Sequence, residues 1–113
     1  MSLNLKLVVG GAVLLLTSVA QAQTTGLELA RSKACMACHQ VDSKRVGPPL
    51  NSVAERYAGH PEAIDYLANK IRMGGRGAWG AVPMPAQSHV SPEEARQLAQ
   101  WVLSLTRRRN PDL

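Results

Sequence analysis

Residues 35–39 read Cys-Met-Ala-Cys-His, which places two thiols three positions apart and an imidazole directly after the second thiol. These groups can exchange disulfides, ligate a metal ion, or attach a cofactor through thioether bonds. A thioredoxin-like dithiol would open a helix within a βαβ pattern, whereas here a predicted helix precedes the motif and no strand is predicted. A closed zinc site needs four ligands, and the chain contains only one pair of cysteines.

The remaining chemistry is covalent attachment of haem c. Each thiol can add to a vinyl group of the porphyrin, and a histidine directly after the second cysteine can ligate the iron. The motif therefore predicts one haem c with its iron, attached through Cys35 and Cys38 and ligated by His39. A metal-bound histidine usually donates its second ring N–H to a carbonyl, and a rigid proline carbonyl in Gly47-Pro48-Pro49 could accept it.

A second axial ligand is predicted in the stretch Val82-Pro83-Met84-Pro85. The prolines restrict the backbone on both sides of Met84 and present its thioether from a stiff, extended segment. The alternatives are His60 or His89 as the distal ligand, and Met84 as a side chain that only fills a gap in the core. With both axial positions taken, the iron has no open site, which favours one-electron transfer over chemistry on oxygen or peroxide.

Helices are expected to position these groups, because apolar residues recur at helical spacing and period-two alternation is absent. Ser91 and Glu94 form a predicted capping box at the start of the last helix. The long segment 74–90 is predicted to be loop, without strands. The predicted helices cover about 27–34, 51–57, 61–73 and the residues from 92 onward. The expected fold class is all-α, with three to four helices packed around one covalently bound haem.

Residues 1–22 are typical of a secretory signal peptide, with Lys6 before an apolar run and a small-x-small triplet that ends at Ala22. The run is shorter than the ~20 apolar residues that a spanning helix needs. No stable membrane insertion is therefore expected after cleavage. The sequence then predicts a periplasmic protein with a single domain over residues 23–113, which ends in a basic tail at residues 107–113.

The formal net charge of +5 falls to +4 when Lys6 leaves with the signal peptide. Nucleic acid is not an expected partner of an exported chain, so the charge predicts attraction to acidic protein surfaces. Lys33, Lys44 and Arg45 flank the attachment motif and are candidates for a basic rim, with simple solvation of the surface as the alternative. The expected partners are redox proteins that bind a monomer transiently.

Several motifs occur in an order that resembles the small monohaem class I cytochromes c of bacteria, in particular the short periplasmic carriers that serve nitrite reductases and oxidases in denitrifying species. The resemblance covers nearly all of residues 26–106, through the motifs CMACH, VGPPL, LANKIRMGG, GAWGAVPMP and EEARQLAQWVLSL. It implies the class I cytochrome c fold and a one-electron carrier between respiratory complexes and terminal reductases or oxidases. The competing hypotheses are a peroxidase-like haem enzyme or sensor with an open distal site, and a haem-free dithiol oxidoreductase.

The resemblance also implies roles for individual residues. Cys35 and Cys38 would hold haem by thioethers, with His39 as the proximal iron ligand. Met84 would be the distal ligand, and Pro48 would supply the carbonyl that orients the histidine.

Two further positions would contact haem propionates. Trp79 would donate its indole N–H, with an ordinary core aromatic as the alternative. Lys70 stands where close relatives often have an arginine, and lysine lacks the bidentate fork of arginine. Relatives also place an asparagine shortly after the methionine, where this chain reads Pro-Ala-Gln-Ser-His at residues 85–89.

Overall fold

The computed structural model describes the backbone of residues 17–109 and the side chains of residues 25–106. Within this part of the chain, the predicted helical fold class is confirmed, with the addition of one small antiparallel sheet. The elements in chain order are α1 (Thr17–Ser32), a 3-10 turn (Cys35–Ala37), α2 (Leu50–Tyr57), α3 (Ala63–Met73), β1 (Gly75–Gly77), β2 (Gly80–Met84) and α4 (Pro92–Arg109).

Helix α4 lies at the centre of the core, where it packs against each of the other three helices. Its buried face includes Trp101, and a Cβ atom added to Gly26 of α1 would lie only 2.4 Å from Cγ of this ring. Glycine at this position therefore allows α1 and α4 to approach closely. The residues predicted to form the apolar face of α4 are all buried, namely Ala95, Leu98, Val102 and Leu105.

Helix α4 begins with the predicted capping box. Ser91 Oγ accepts a hydrogen bond from the backbone N–H of Glu94 at 3.2 Å, and Glu94 Oε1 accepts one from the N–H of Ser91 at 3.0 Å. These bonds satisfy N–H groups that have no partner within the helix. The Lys33 ammonium lies 3.0 Å from Glu94 Oε2. The cap therefore also ties the chain after α1 to the start of α4.

These contacts lower the pKa of the Glu94 carboxyl, chiefly through the backbone N–H of Ser91 and then through Lys33. Because the folded-state pKa lies below the ordinary value of 4.5, the carboxylate stabilises the fold above that value, and this stabilisation is lost as the pH falls through the folded-state pKa. Glu94→Gln keeps a capping acceptor without a charge, so its unfolding midpoint should fall less steeply between about pH 6 and pH 3. Guanidinium unfolding across that range measures the difference. Parallel plots of the unfolding midpoint against pH for the two proteins would contradict the prediction.

Helix α1 has different ends from those predicted. It stops at Ser32, because Ala34 adopts a left-handed conformation with φ 63° that an α-helix cannot continue. It already includes Thr17, the first described residue, and so extends further toward the N-terminus than predicted, since alanine and glutamine before the predicted start also favour helix. The expected cleavage boundary after Ala22 thus falls within α1, and residues 1–16 of the predicted signal peptide lie outside the described residues.

The prediction that segment 74–90 contains no strand is wrong. Strands β1 and β2 form an antiparallel hairpin in which Gly75 pairs with Met84 and Gly77 with Gly80. The two glycines beside the turn have φ values of 94° and 114°, which a residue with a side chain rarely adopts. The strands leave no periodic pattern in the sequence because almost all of their residues are exposed. No alternation between apolar and polar residues marks them.

Helix α4 continues to Arg109, so the expectation of a tail beyond the last helix is wrong for residues 107–109. Arginine is a good helix former, and no glycine or proline stops the helix before this point. Residues 110–113 of the predicted tail lie outside the described residues. Among residues 17–109, none of the helices is both long and apolar enough to cross a membrane.

Candidate functional site

A cavity of about 380 Å³ lies between the helices and the hairpin, and its lining is mainly apolar. This volume suits a cofactor-sized ligand. Helices α2, α3 and α4, the hairpin, and the loop after the 3-10 turn all contribute side chains. The predicted site residues that line the cavity are Cys38, His39, Pro48, Lys70, Trp79 and Met84. Cys35, the other predicted site residue, does not line it.

The attachment motif forms a 3-10 turn that brings Cys38 and His39 to the cavity. The backbone N–H groups of both residues donate to the carbonyl of Cys35, at 3.2 and 3.0 Å respectively. Cys35 itself packs, partly buried, against the hydrophobic core, and this burial raises the pKa of its thiol. Both cysteines are free. Their thiols are therefore available for covalent attachment of a cofactor.

The imidazole of His39 has one nitrogen committed to the protein. Its Nδ1 lies 2.9 Å from the carbonyl oxygen of Pro48, and because a carbonyl only accepts, Nδ1 carries the proton and donates. Nε2 is then left with a lone pair that can ligate a metal ion. Gly47 lies against the same ring, where an added Cβ atom would be 2.5 Å from Cε1. Gly47 is therefore a positioning residue, whereas its sequence context indicates only a turn.

Met84 lies at the end of β2 and is the half-buried residue of the hairpin. Gly74 lies close to the backbone of Met84, because a Cβ atom added to this glycine would lie 2.5 Å from the carbonyl oxygen of Met84. The φ angle of Gly74 is 71°. Gly74 therefore does more than end α3, since it lets the chain after α3 run close to the strand end. The backbone N–H of Gln87 donates to the carbonyl of Ile71 at 3.1 Å and holds the chain just beyond the methionine.

His60 and His89, the alternative distal ligands, do not line the cavity. His89 Nε2 lies 3.1 Å from the carbonyl oxygen of Lys33, and His60 is exposed in the turn before α3. Of the three candidates, Met84 is the one that shares the cavity with His39.

One wall of the cavity lies beside a group of rings and cations, which we call the aromatic–cation cluster: Arg56, Tyr57, Tyr66, Lys70 and Trp79. The Cζ atom of Arg56 lies 4.7 Å from the ring centroid of Trp79, and Lys70 Nζ lies 5.5 Å from that of Tyr66. At such distances a cation is attracted to the aromatic face. Burial raises the pKa of the Tyr57 phenol, and neighbouring Tyr66 raises it further. Trp79 is 42% exposed and lines the cavity.

The donor groups of this site fit haem c. Two free thiols, an imidazole with one uncommitted nitrogen and a thioether are the groups that attach haem and ligate its iron. Among the described residues, no three His, Cys, Asp or Glu side chains cluster as a directly bound metal ion would require. The site therefore fits an iron held within a porphyrin better than a zinc ion held by the protein alone.

This architecture is similar to that of known proteins. The family model described as "Cytochrome c" matches residues 23–106. Cytochrome c-552 of Hydrogenobacter thermophilus is 56% identical over 78 residues, which cover 69% of this chain and 79% of that protein. The crystal structure of wild-type Nitrosomonas europaea cytochrome c552 is similar with a TM-score of 0.70 at 46% identity, over 71% of this chain and 99% of that chain.

A further solved structure, the class 1 cytochrome MtoD from Sideroxydans lithotrophicus ES-1, is similar with a TM-score of 0.58 at 29% identity, over 76% of this chain and 95% of that chain. The matched region contains the attachment motif, the cavity and the hairpin, and the class I fold expected from the resemblance is confirmed. The chain therefore belongs to the cytochrome c family, as a small class I monohaem member that carries covalently bound haem c with its iron and transfers electrons rather than acting as an enzyme.

Proposed function

We propose that this cytochrome is a periplasmic one-electron carrier between respiratory complexes and terminal reductases or oxidases, such as nitrite reductase. The observation that carries the proposal is the pair of residues on the cavity. His39 offers Nε2 because Pro48 holds Nδ1, and Met84 brings a thioether to the same cavity. A histidine and a methionine that fill both axial positions leave no place for oxygen or peroxide to bind iron.

Each residue of the site would have its own role in binding haem c. Haem c, when bound, supplies an iron that alternates between Fe(II) and Fe(III). Cys35 and Cys38 would form the two thioethers, and His39 and Met84 would be the axial ligands. Pro48 would keep the imidazole in the tautomer whose Nε2 is free. Methionine as an axial ligand raises the reduction potential, which suits a carrier that delivers electrons to strongly oxidising acceptors.

Two members of the aromatic–cation cluster would form the polar environment of haem. Trp79 and Lys70 both line the cavity, and their indole N–H and ammonium, which contact Tyr57 and Tyr66 in this structure, would bind the propionates. Lysine acts there as a point charge without the bidentate geometry of arginine.

A small basic surface would guide the docking of partners. Lys33 pairs with Glu94, so its charge is offset within the protein. Lys44 and Arg45 are exposed, and the next residue, Val46, is an apolar side chain that is 52% exposed and also lines the cavity. An apolar contact beside two cations fits a weak, short-lived complex with an acidic partner surface.

We also propose that the protein is exported to the periplasm and acts as a monomer. Residues 1–22 have the charge and apolar pattern of a signal peptide, and removal of this segment would leave one domain over residues 23–113. An electron carrier of this kind is expected to act as a monomer, because each encounter with a donor or acceptor needs the same docking surface.

Protein purified from the periplasm tests the proposal. Mass spectrometry should find a chain that begins at Gln23 and carries one haem. The reduced protein, mixed with nitrite reductase or a terminal oxidase in a stopped-flow instrument, should be oxidised at a rate that falls several-fold between about 0.01 and 0.2 M salt. A Lys44→Gln, Arg45→Gln double variant should react more slowly at low salt. A Lys33→Gln, Glu94→Gln double variant is the control, because it removes an ion pair without a change in net charge, and little effect is expected.

Two results would count against the proposal. If neither class of acceptor oxidises the protein, it does not carry electrons to them. If the rate depends neither on salt nor on the two cations, the basic surface does not guide docking.

A further inference from the structure

The hairpin that carries Met84 is not part of the helical core. Every residue of β1 is exposed, and every residue of β2 is exposed except Met84, which is half-buried; one side of the hairpin lines the cavity. A segment with few apolar contacts in the protein core opens more readily than the core itself. Individual polar contacts with the rest of the protein therefore matter more for the position of this hairpin than they would for a helix.

The base and the tip of the hairpin are held in different ways. At the base, the chain continues directly from α3, and the N–H of Gln87 donates to the carbonyl of Ile71 at 3.1 Å. At the tip, Arg56 Nη1 donates to the carbonyl oxygen of Ala78 at 2.5 Å. The same guanidinium lies over the ring of Trp79, 4.7 Å from its centroid. One side chain thus makes both a charged hydrogen bond and a cation–π contact with the turn.

Arg56 is well placed to anchor the tip. It belongs to the last turn of α2, and the preceding turn of that helix buries Val53 and Ala54 in the core. Trp79 lines the cavity, whereas Arg56 does not. The guanidinium therefore contacts the hairpin from outside the cavity and reaches it from a rigid support.

We propose that Arg56 is a positioning residue that keeps the hairpin closed over the cavity and so keeps Met84 at the cavity that it shares with His39. The inference rests on the proposed role of Met84 as the distal ligand. Loss of Arg56 removes its two contacts with the turn but leaves the contact of Tyr57 with Trp79, the base of the hairpin and the core contacts of α2 intact. The hairpin should then open more often, and the thioether should leave its position more often, without a comparable change in global unfolding.

The test measures how fast imidazole replaces the distal ligand in the oxidised holoprotein. Arg56→Met removes both contacts but retains a long apolar side chain. We expect imidazole to bind on the order of tenfold faster, because a charged hydrogen bond and an exposed cation–π contact are lost together. Arg56→Lys retains a cation that can reach the carbonyl of Ala78, and its rate should lie within about threefold of the wild-type rate.

Arg96→Met is the matched control, since Arg96 is an exposed arginine that pairs with Asp65 and loses the same charge when replaced. Its rate should equal that of the wild type. A second measurement follows the weak long-wavelength absorption band of methionine-ligated ferric haem on warming. In Arg56→Met this band should fade at a lower temperature, while guanidinium unfolding shifts as little as in Arg96→Met.

These measurements distinguish the proposed role of Arg56 from the assignment of Met84 as the distal ligand. If the wild type shows the methionine band but Arg56→Met binds imidazole at the wild-type rate, the role of Arg56 is wrong and the ligand assignment stands. Equal acceleration in Arg56→Met and Arg96→Met would also overturn it, because loss of charge alone would then explain the effect. If the wild type lacks the band, Met84 is not the ligand, and the role of Arg56 falls with it.

Discussion

Replacing Met84 with alanine should leave haem covalently attached, open one axial position of the iron and lower the reduction potential. The attachment turn, with both thiols and His39, lies on a separate part of the chain from the hairpin, so attachment should not need the thioether. Axial ligands set haem potentials over a range of about 0.8 V, and loss of a methionine ligand should lower the potential by roughly 0.1–0.3 V. The oxidised variant should bind imidazole or cyanide without the slow step that ligand displacement imposes.

Met73→Ala is the matched control. Met73 is 68% exposed at the end of α3 and does not line the cavity, so its removal changes methionine content without touching the site. Spectroscopic redox titration and absorption spectra of the two variants give the comparison. A wild-type spectrum and potential in Met84→Ala would refute the ligand assignment, and so would a loss of the methionine band in Met73→Ala.

The residues of the candidate site were predicted from their types, their spacing and the restriction that prolines impose on a neighbour, whereas the close approaches of glycines to these residues were not. Cys35, Cys38 and His39 are neighbours in one turn, and the prolines that flank Met84 act on its own backbone. By contrast, the approach of Gly47 to the His39 ring and of Gly74 to the carbonyl of Met84 is visible only when separate segments meet. In the sequence, each glycine is a turn signal and nothing more.

The hairpin escaped prediction for a related reason. Strands are recognised by the alternation that burial of one face imposes, and Gly75–Gly77 has no buried face. Its turn instead uses glycines that adopt positive φ, and Arg56 contacts Ala78 and Trp79 there. The helices were predicted better because α4 buries Leu98 and residues at helical spacing from it. Burial, rather than function, is what leaves a readable period in a sequence.

The charge of Lys33 illustrates the same limit. Its position next to the attachment motif suggested a surface cation for docking, but in the fold its ammonium pairs with Glu94 at the start of α4. Local sequence shows which residues carry charge. Which charges are offset by partners depends on the packing of α1 against α4.

Replacing His39 with alanine should prevent formation of mature holoprotein. The imidazole joins the loop at Pro48 to the cavity through its Nδ1 hydrogen bond, and its Nε2 would be the proximal ligand, so one substitution removes both a loop contact and an iron ligand. Because metal binding and folding are coupled, we expect the yield of haem-bearing protein to fall by roughly tenfold or more. Haem staining after denaturing electrophoresis and the mass of the purified chain measure this yield.

His60→Ala serves as the control, since His60 is exposed and does not line the cavity; its yield should match the wild type. Gly47→Ala provides a graded version of the same test. It keeps the imidazole, but the added Cβ would lie 2.5 Å from Cε1 of His39 and must move the ring or the loop. We expect a yield between those of the wild type and His39→Ala, with a shifted haem spectrum. Wild-type yield and spectrum in His39→Ala would show that the iron is held from another residue. A wild-type spectrum in Gly47→Ala would show that the loop can yield without moving the ligand.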